Sequence, residues 1–402
     1  MIRLQINCPP NKTLKLVKTL YGLKQSPREW NAIMNTFLES QGFSQSQADP
    51  CLYVRGKDDS LLLVAIYVDD IITAGKSEME IEKFRSKLRN EYSIESGGIL
   101  AWYLGIRFST NASGDYFLDQ NLYVQQKLEL FKKFIGNGGA SSPLPQDLQA
   151  LLESAEASGE ISPGFPYRQM VGSLMYAMLG TRPDIAHAVS TLSRFLAKPK
   201  KVHENLLIQV FHYLQSNPSY ALHYESTGNV NLEGFVDAAY ANTIGYKSTT
   251  GYLFLLGKCL VSWYSGRQSV VTQSSAEAEY FAAVSAANEA MWFKQWLRDI
   301  GYTPGNIILH EDNQACISLS KNPEDHKRTK HIQVKYHVIR EYVKNNEVTL
   351  KYCPTKDQYA DFLTKTLPGH QLRPNLARIK LVAHFPIQES GGESEFPLEV
   401  DE

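Results

Sequence analysis

LEGFVDAAYAN, residues 232–242, places Leu232, Gly234, Val236 and Ala238 at every second position. A period of two marks a strand with one apolar face. Asp237 then projects from the opposite face. A lone charge in such a strand is costly to bury unless it is paired or holds a cation. Three carboxylates further along the chain can meet it.

Glu279 lies in SSAEAEYFAAVSAANEAMW, 274–292, where Tyr280, Val284, Ala287 and Met291 recur at helical spacing. Ser274 or Ser275 is the expected N-cap. Glu277 and Glu279 are two positions apart, about 200° around a helix, so only one can face Asp237. Glu279 shares its face with Ala282, Ala283 and Ala286, small residues that let a helix approach a sheet, so Glu279 is the choice. Asp312 ends the strand NIILHED, 306–312, and its neighbour Glu311 points to the other face. Strand ends are where α/β sites form. Asp361, in YADFLTK, 359–365, reads as the start of a final helix. Singly, each is more often a solvated surface carboxylate. Strand, helix, strand end and helix start can converge, and converging hard oxygens suit Mg²⁺. Two such ions roughly 3.5–4 Å apart activate a water and stabilise a leaving oxygen in phosphodiester cleavage.

A second acidic feature is SLLLVAIYVDDIITAG, 60–75. Its branched and aromatic runs read as two strands of a mostly buried hairpin, with Asp69 and Asp70 at the turn. The pair is either a turn in solvent, which Asp favours, or a cation site.

At 402 residues the chain suits about two or three domains. With 43% apolar and 21% charged residues it can bury a core. No run of 18 apolar residues suggests a membrane span, and MIRLQINCPPNK has no signal-peptide core. The cysteines at 8, 51, 259, 316 and 353 form no C-x-x-C. That argues against a zinc ribbon or disulfide framework and for a reducing, intracellular compartment. A net charge of −1 means that nucleic-acid contact needs local basic patches. Residues 321–344 supply seven Lys/Arg against three acids, with His326, His331 and His337. They form either a phosphate-contacting face or a solvated helix with scattered charge.

Four blocks follow. Residues 1–135 alternate helix and strand. SPREWNAIMNTFLESQGF is a helix with Ser26 as N-cap and Pro27 in its first turn; EMEIEKFRSKLRNEY is another, with Ile81, Phe84 and Leu88 on one face; AWYLGIRFST and YFLDQN are strands. Residues 136–228 open on the linker-like GNGGASSPLP and continue in helices. Residues 229–368 hold the four carboxylates and a hairpin turning at Gly257-Lys258. Residues 369–402 end acidic and Gly/Ser-rich, as a disordered tail does.

The chain resembles the C-terminal part of copia-type LTR retrotransposon Pol polyproteins. TLYGLKQSPREW, GFSQSQADPCLYV, IYVDDIITAG and WYLGIRF match the polymerase part; YRQMVGSLMYAMLGTRPDIAHAVSTLSRF and HENLLIQVFHYL match the connection. KSTTGYLFLLG, SWYSGRQSVVTQSSAEAEYFAA, EDNQACISL, RTKHIQVKYHVIREYV and YADFLTKTLP match the ribonuclease H part, all in family order. The resemblance implies an α/β (α+β) chain: a partial polymerase palm and thumb over 1–135, a helical connection over 136–228, and a ribonuclease H-like mixed sheet with flanking helices over 229–368.

By the same resemblance Asp69 and Asp70 are polymerase hairpin aspartates. Asp237, Glu279, Asp312 and Asp361 are the four ribonuclease H carboxylates, holding two Mg²⁺ or Mn²⁺ ions. Gly22, Lys24, Gln25 and Arg28 fall in the segment that contacts template and incoming nucleotide. Lys327, Arg328 and Lys330 would contact phosphates, and His331 would assist product release or proton transfer. RNA–DNA hybrid, RNA, DNA and other polyprotein products are the implied partners. The family's Asp-Ala-Asp-Trp is here Asp237-Ala238-Ala239-Tyr240, which keeps the first aspartate. The palm strand carrying the family's other polymerase aspartate belongs upstream of LYGLKQ, and no aspartate precedes Asp49. The expectation is an inert polymerase part attached to a working ribonuclease H.

Overall fold

The computed structural model describes residues 19, 20, 22–92, 94, 97–226, 228, 230–321 and 333–384. These divide into two compact units.

One unit takes in the chain up to Gly98 together with Trp292–Thr303. Helix α1 (Ser26–Ser40) precedes a four-stranded antiparallel sheet, β1 (Ser44–Gln45), β2 (Leu52–Arg55), β3 (Leu62–Tyr67) and β4 (Asp70–Gly75), in sequence order, and α2 (Glu78–Glu91) follows. Ser26 is inside the helix, not its cap: Gln25 takes that position, and the Ser26 hydroxyl donates to the Leu20 carbonyl at 2.7 Å. On α2 the apolar face is as expected: Ile81, Phe84 and Leu88 are buried with Phe43, Tyr53, Leu62 and Val64. Within this unit the Asp299 carboxylate accepts from the Ser46 hydroxyl at 2.6 Å and from the Gln47 and Ala48 amides at 2.8 and 3.0 Å. That pins the loop before β2.

The second unit holds two five-stranded sheets. The first is antiparallel: β5 (Trp102–Tyr103), β6 (Ile106–Thr110), β7 (Tyr116–Asp119), β8 (Tyr220–Tyr224) and β14 (Leu381–Ala383), in the order β14-β8-β7-β6-β5. Between β7 and β8 run α3 (Asn121–Leu130), α4 (Lys132–Ile135), α5 (Leu148–Glu153), α6 (Tyr167–Gly180), α7 (Ala186–Leu192) and α8 (Lys201–Ser216). The second sheet is mixed. Strands β9 (Leu232–Thr243), β10 (Lys247–Leu256) and β11 (Cys259–Arg267) form an antiparallel meander, and β12 (Ile307–Glu311) and β13 (Val348–Tyr352) extend it in parallel, in the order β11-β10-β9-β12-β13. Helix α9 (Ser275–Asp299) follows β11; α10 (Gln314–Lys321) and α11 (Gln333–Lys344) lie between β12 and β13, and α12 (Gly369–Arg378) precedes β14. This is the mixed α/β architecture, with a five-stranded mixed sheet and flanking helices, that the sequence implied.

The block boundaries fall differently. One core joins Leu174, Val189 and Phe211 of the helices to Leu253, Leu255 and Leu260 of the mixed sheet. Residues 136–228 and 229–368 are therefore not separate bodies. The Trp263 indole donates to the Met178 carbonyl at 2.9 Å across the same seam. The physical reason is that β10 and β11 carry an apolar face that the connection helices cover. The linker-like 136–145 buries Leu144. Of the expected tail, Leu372 and Leu376 of α12 and Leu381 of β14 are buried in that core; 389–402 lies outside the described residues.

The 60–75 hairpin forms, but its turn is Val68-Asp69, and Asp70 pairs with Tyr67 inside β4. Both aspartates are exposed. The buried face of β3 (Leu62, Val64, Ile66) stops one residue short of the strand's end, so the turn projects beyond the core.

Candidate metal centre

Strand β12 pairs with β9 only as far as His310 opposite Phe235. Asp237 thus lies just beyond the last parallel pair, level with the end of β12, where Asp312 leaves the strand. Helix α9 crosses here with its alanine face: Ala282, Ala283 and Ala286 are fully buried. Small side chains bring the helix close enough for Glu279 to reach Asp237. One carboxylate oxygen each from Asp237, Glu279 and Asp312 lies within 4.8 Å of the others. Among the described residues this is the one such group.

The electrostatics match a site short of positive charge. Burial pushes Asp237 above the usual carboxylate range, with Lys365 and the Thr364 hydroxyl pulling it back. Glu279 is pushed far up by burial and then by the charges of Glu311, Asp237 and Asp312. Its Oε2 is buried and has no hydrogen-bond partner among the described residues. Asp312 accepts from the Thr355 hydroxyl at 2.7 Å. Hard carboxylate oxygens at this spacing, one of them unpartnered, fit a divalent cation.

Asp361 arrives differently from expectation. It opens a short 3₁₀ turn, Asp361–Leu363, not a helix. Burial, with Asp237 next, raises its pKa to about 6. The turn can lie against the sheet because Gly251 stands opposite Asp237 in the β9–β10 register. A Cβ on Gly251 would come within 2.6 Å of Thr364 Cγ2 and 2.8 Å of Leu363 Cβ. The Thr364 hydroxyl thereby donates to the Asp237 carboxylate. Neither Gly251 nor Thr364 had been singled out in the sequence; Gly in a strand interior is the available signal of a close approach.

Of the two glutamates of α9, Glu279 is the one whose carboxylate lies beside Asp237 and Asp312, while Glu277 has local partners at the helix start. Ser274 is the N-cap, accepting from the Glu277 amide at 3.2 Å, and the Glu277 carboxylate accepts from the Gln273 amide at 2.6 Å. Glu277 is buried as a cap, not as a ligand. Glu277→Gln keeps an acceptor there and is expected to cost no more than about 1 kcal/mol, with Mn²⁺ affinity unchanged; a titration of both variants checks that only Glu279→Gln loses metal.

Glu311 departs from its sequence reading. Its side chain points away from solvent, not merely away from Asp312, and is fully buried. One oxygen accepts from the Asn313 amide at 2.9 Å. Burial raises its pKa, and after burial its charge is the largest influence on Glu279. Asp69, Asp70, Gly22, Lys24, Gln25 and Arg28 belong to the other unit and are exposed. Lys327, Arg328, Lys330 and His331 lie outside the described residues.

The family described as reverse transcriptase (RNA-dependent DNA polymerase) matches residues 3–144. A Saccharomyces cerevisiae protein of transposon Ty5-1 is 30% identical over 287 residues, 70% of this chain and 90% of that protein. The chain belongs to the retrotransposon Pol polyprotein family. The Nicotiana tabacum Pol polyprotein from transposon TNT 1-94 is 36% identical over 364 residues, 89% of this chain but 27% of the polyprotein. The chain thus spans about a quarter of the length of the longer curated relatives it matches. A foamy viral protease-reverse transcriptase solved with an RNA/DNA hybrid aligns over 94% of this chain and 42% of its own at 14% identity, with a TM-score of 0.40, too slight an overlap to bear on the fold. In the described residues no helix is long and apolar enough to cross a membrane.

Proposed function

We propose that this Pol-family chain is a divalent-metal-dependent nuclease that cleaves the RNA strand of RNA–DNA hybrids. The supporting observation is the meeting of Asp237, Glu279 and Asp312 oxygens within 4.8 Å at the end of β12. These three residues would hold Mg²⁺ or Mn²⁺, with Asp361 linked to Asp237 through Lys365. Bound there, the ions supply an activated attacking oxygen and stabilise the leaving one. The chain's own groups prepare the site. Thr364 and Thr355 orient two of the carboxylates through hydroxyl bonds. The alanine face of α9 shuts water out from behind.

The polymerase reading would rest on Asp69 and Asp70, which stand exposed at a hairpin turn outside this group. The nuclease reading is therefore preferred. Its test is incubation of the full chain with a labelled RNA–DNA hybrid. RNA cleavage that needs Mg²⁺ or Mn²⁺ and stops on chelation is expected. Intact RNA with well-folded protein at every metal concentration would reject the proposal.

A further inference from the structure

Lys365 forms ion pairs with two carboxylates of this site. Its ammonium lies 3.0 Å from an Asp361 oxygen and 3.9 Å from Asp237. It thus stands between Asp237, a member of the three-way group, and Asp361, which is not among the oxygens of that group. The Lys365 side chain is 41% exposed, against 4% for Asp237 and 15% for Asp361, so it enters from the solvent side and can leave the same way. The spacing of four residues puts it over Asp361.

We propose that the Lys365 ammonium is a resident cation in the Asp237–Asp361 half of the site. The Asp237–Glu279–Asp312 half is open to a first divalent ion. A second ion reaches Asp361 only when Lys365 swings out. Lys365 is thus a positioning residue that holds Asp361 in place before metal arrives and makes loading sequential. This rests on the divalent-cation reading of the same carboxylates.

The test is a Mn²⁺ titration of the full chain near neutral pH and low ionic strength, with free Mn²⁺ followed by its paramagnetic resonance and no nucleic acid present. The native protein should bind a first ion and then a second at least about tenfold more weakly. In Lys365→Gln the second ion should gain at least about tenfold, because a neighbouring positive charge has gone, while the first changes little. Lys365→Arg keeps the charge and should keep the two-step isotherm. Without metal, Lys365→Gln should melt below the native protein, and with saturating Mn²⁺ it should regain the difference. A second-ion affinity that is unchanged or lower in Lys365→Gln overturns the proposal, as does a native isotherm with two equal ions. Hybrid cleavage with an isotherm indifferent to Lys365 would sink this inference alone. The predicted isotherms without any cleavage would sink the nuclease reading alone.

Discussion

Asp237→Asn is expected to lower hybrid cleavage by at least about 100-fold and, in the same protein, to raise the melting temperature measured without metal. The two effects have one cause. Asp237 is 3% exposed, and the charges of Glu279, Glu311, Asp312 and Asp361 are set around it with Lys365 as the nearby cation. In the metal-free protein its ionised form is held against burial and like charge, which is why its pKa is raised. Asparagine removes the charge, keeps the shape and still offers an oxygen to the Thr364 hydroxyl. The fold gains while the site loses a direct ligand. Altering mere supports of a metal ligand costs about 10–100-fold, so removal of a ligand's charge sits at or beyond the top of that range. A gel assay of hybrid cleavage and a thermal melt in chelator measure the pair. Activity within tenfold of native would remove Asp237 from the site, and lost activity with a lowered melting temperature would make its role structural.

Asp184→Ala should be among the most destabilising single substitutions in the second unit, at about 3–5 kcal/mol. Arg182 and Asp184, in the TRPDIAH segment, are 1% and 3% exposed. The guanidinium donates from Nε to Oδ1 at 3.0 Å and from Nη2 to Oδ2 at 2.7 Å, and its Nη1 donates to the Asn217 carbonyl at 3.0 Å. It also lies 5.3 Å from the Tyr220 ring centre, so it ties the α6–α7 junction to the end of α8 and the start of β8. Alanine leaves that guanidinium buried without its counter-charge, and burying an unpaired ion is far costlier than losing the pair altogether. The double variant Arg182→Met, Asp184→Leu should therefore recover most of the loss. Urea unfolding of the two variants decides it. A double variant as unstable as the single one would show that packing, not charge, is what matters there.

Local geometry was written in the residues themselves. The apolar period of α2 and the two-residue turn at Gly257-Lys258, where both residues have positive φ, are present as read, whereas β9 is buried on both faces from Gly234 to Asp237. That only one of Glu277 and Glu279 can face Asp237 also followed from angle, because about 200° of helix separates them whatever the helix packs against, and the alanine face favoured Glu279. Only the tertiary structure decided the rest. It put Asp69 and Asp70 in solvent, buried Glu311 behind Glu279, merged the connection helices with the mixed sheet into one core, and folded α12 and β14 out of an apparent tail. It also set Lys365 among the carboxylates and made Gly251 the opening through which Thr364 reaches Asp237. The difference is one of range. Periodicity records how a residue sits on its own helix or strand, whereas burial and charge pairing depend on which distant segment arrives opposite it, and segments more than a hundred residues apart leave no periodic trace of their meeting.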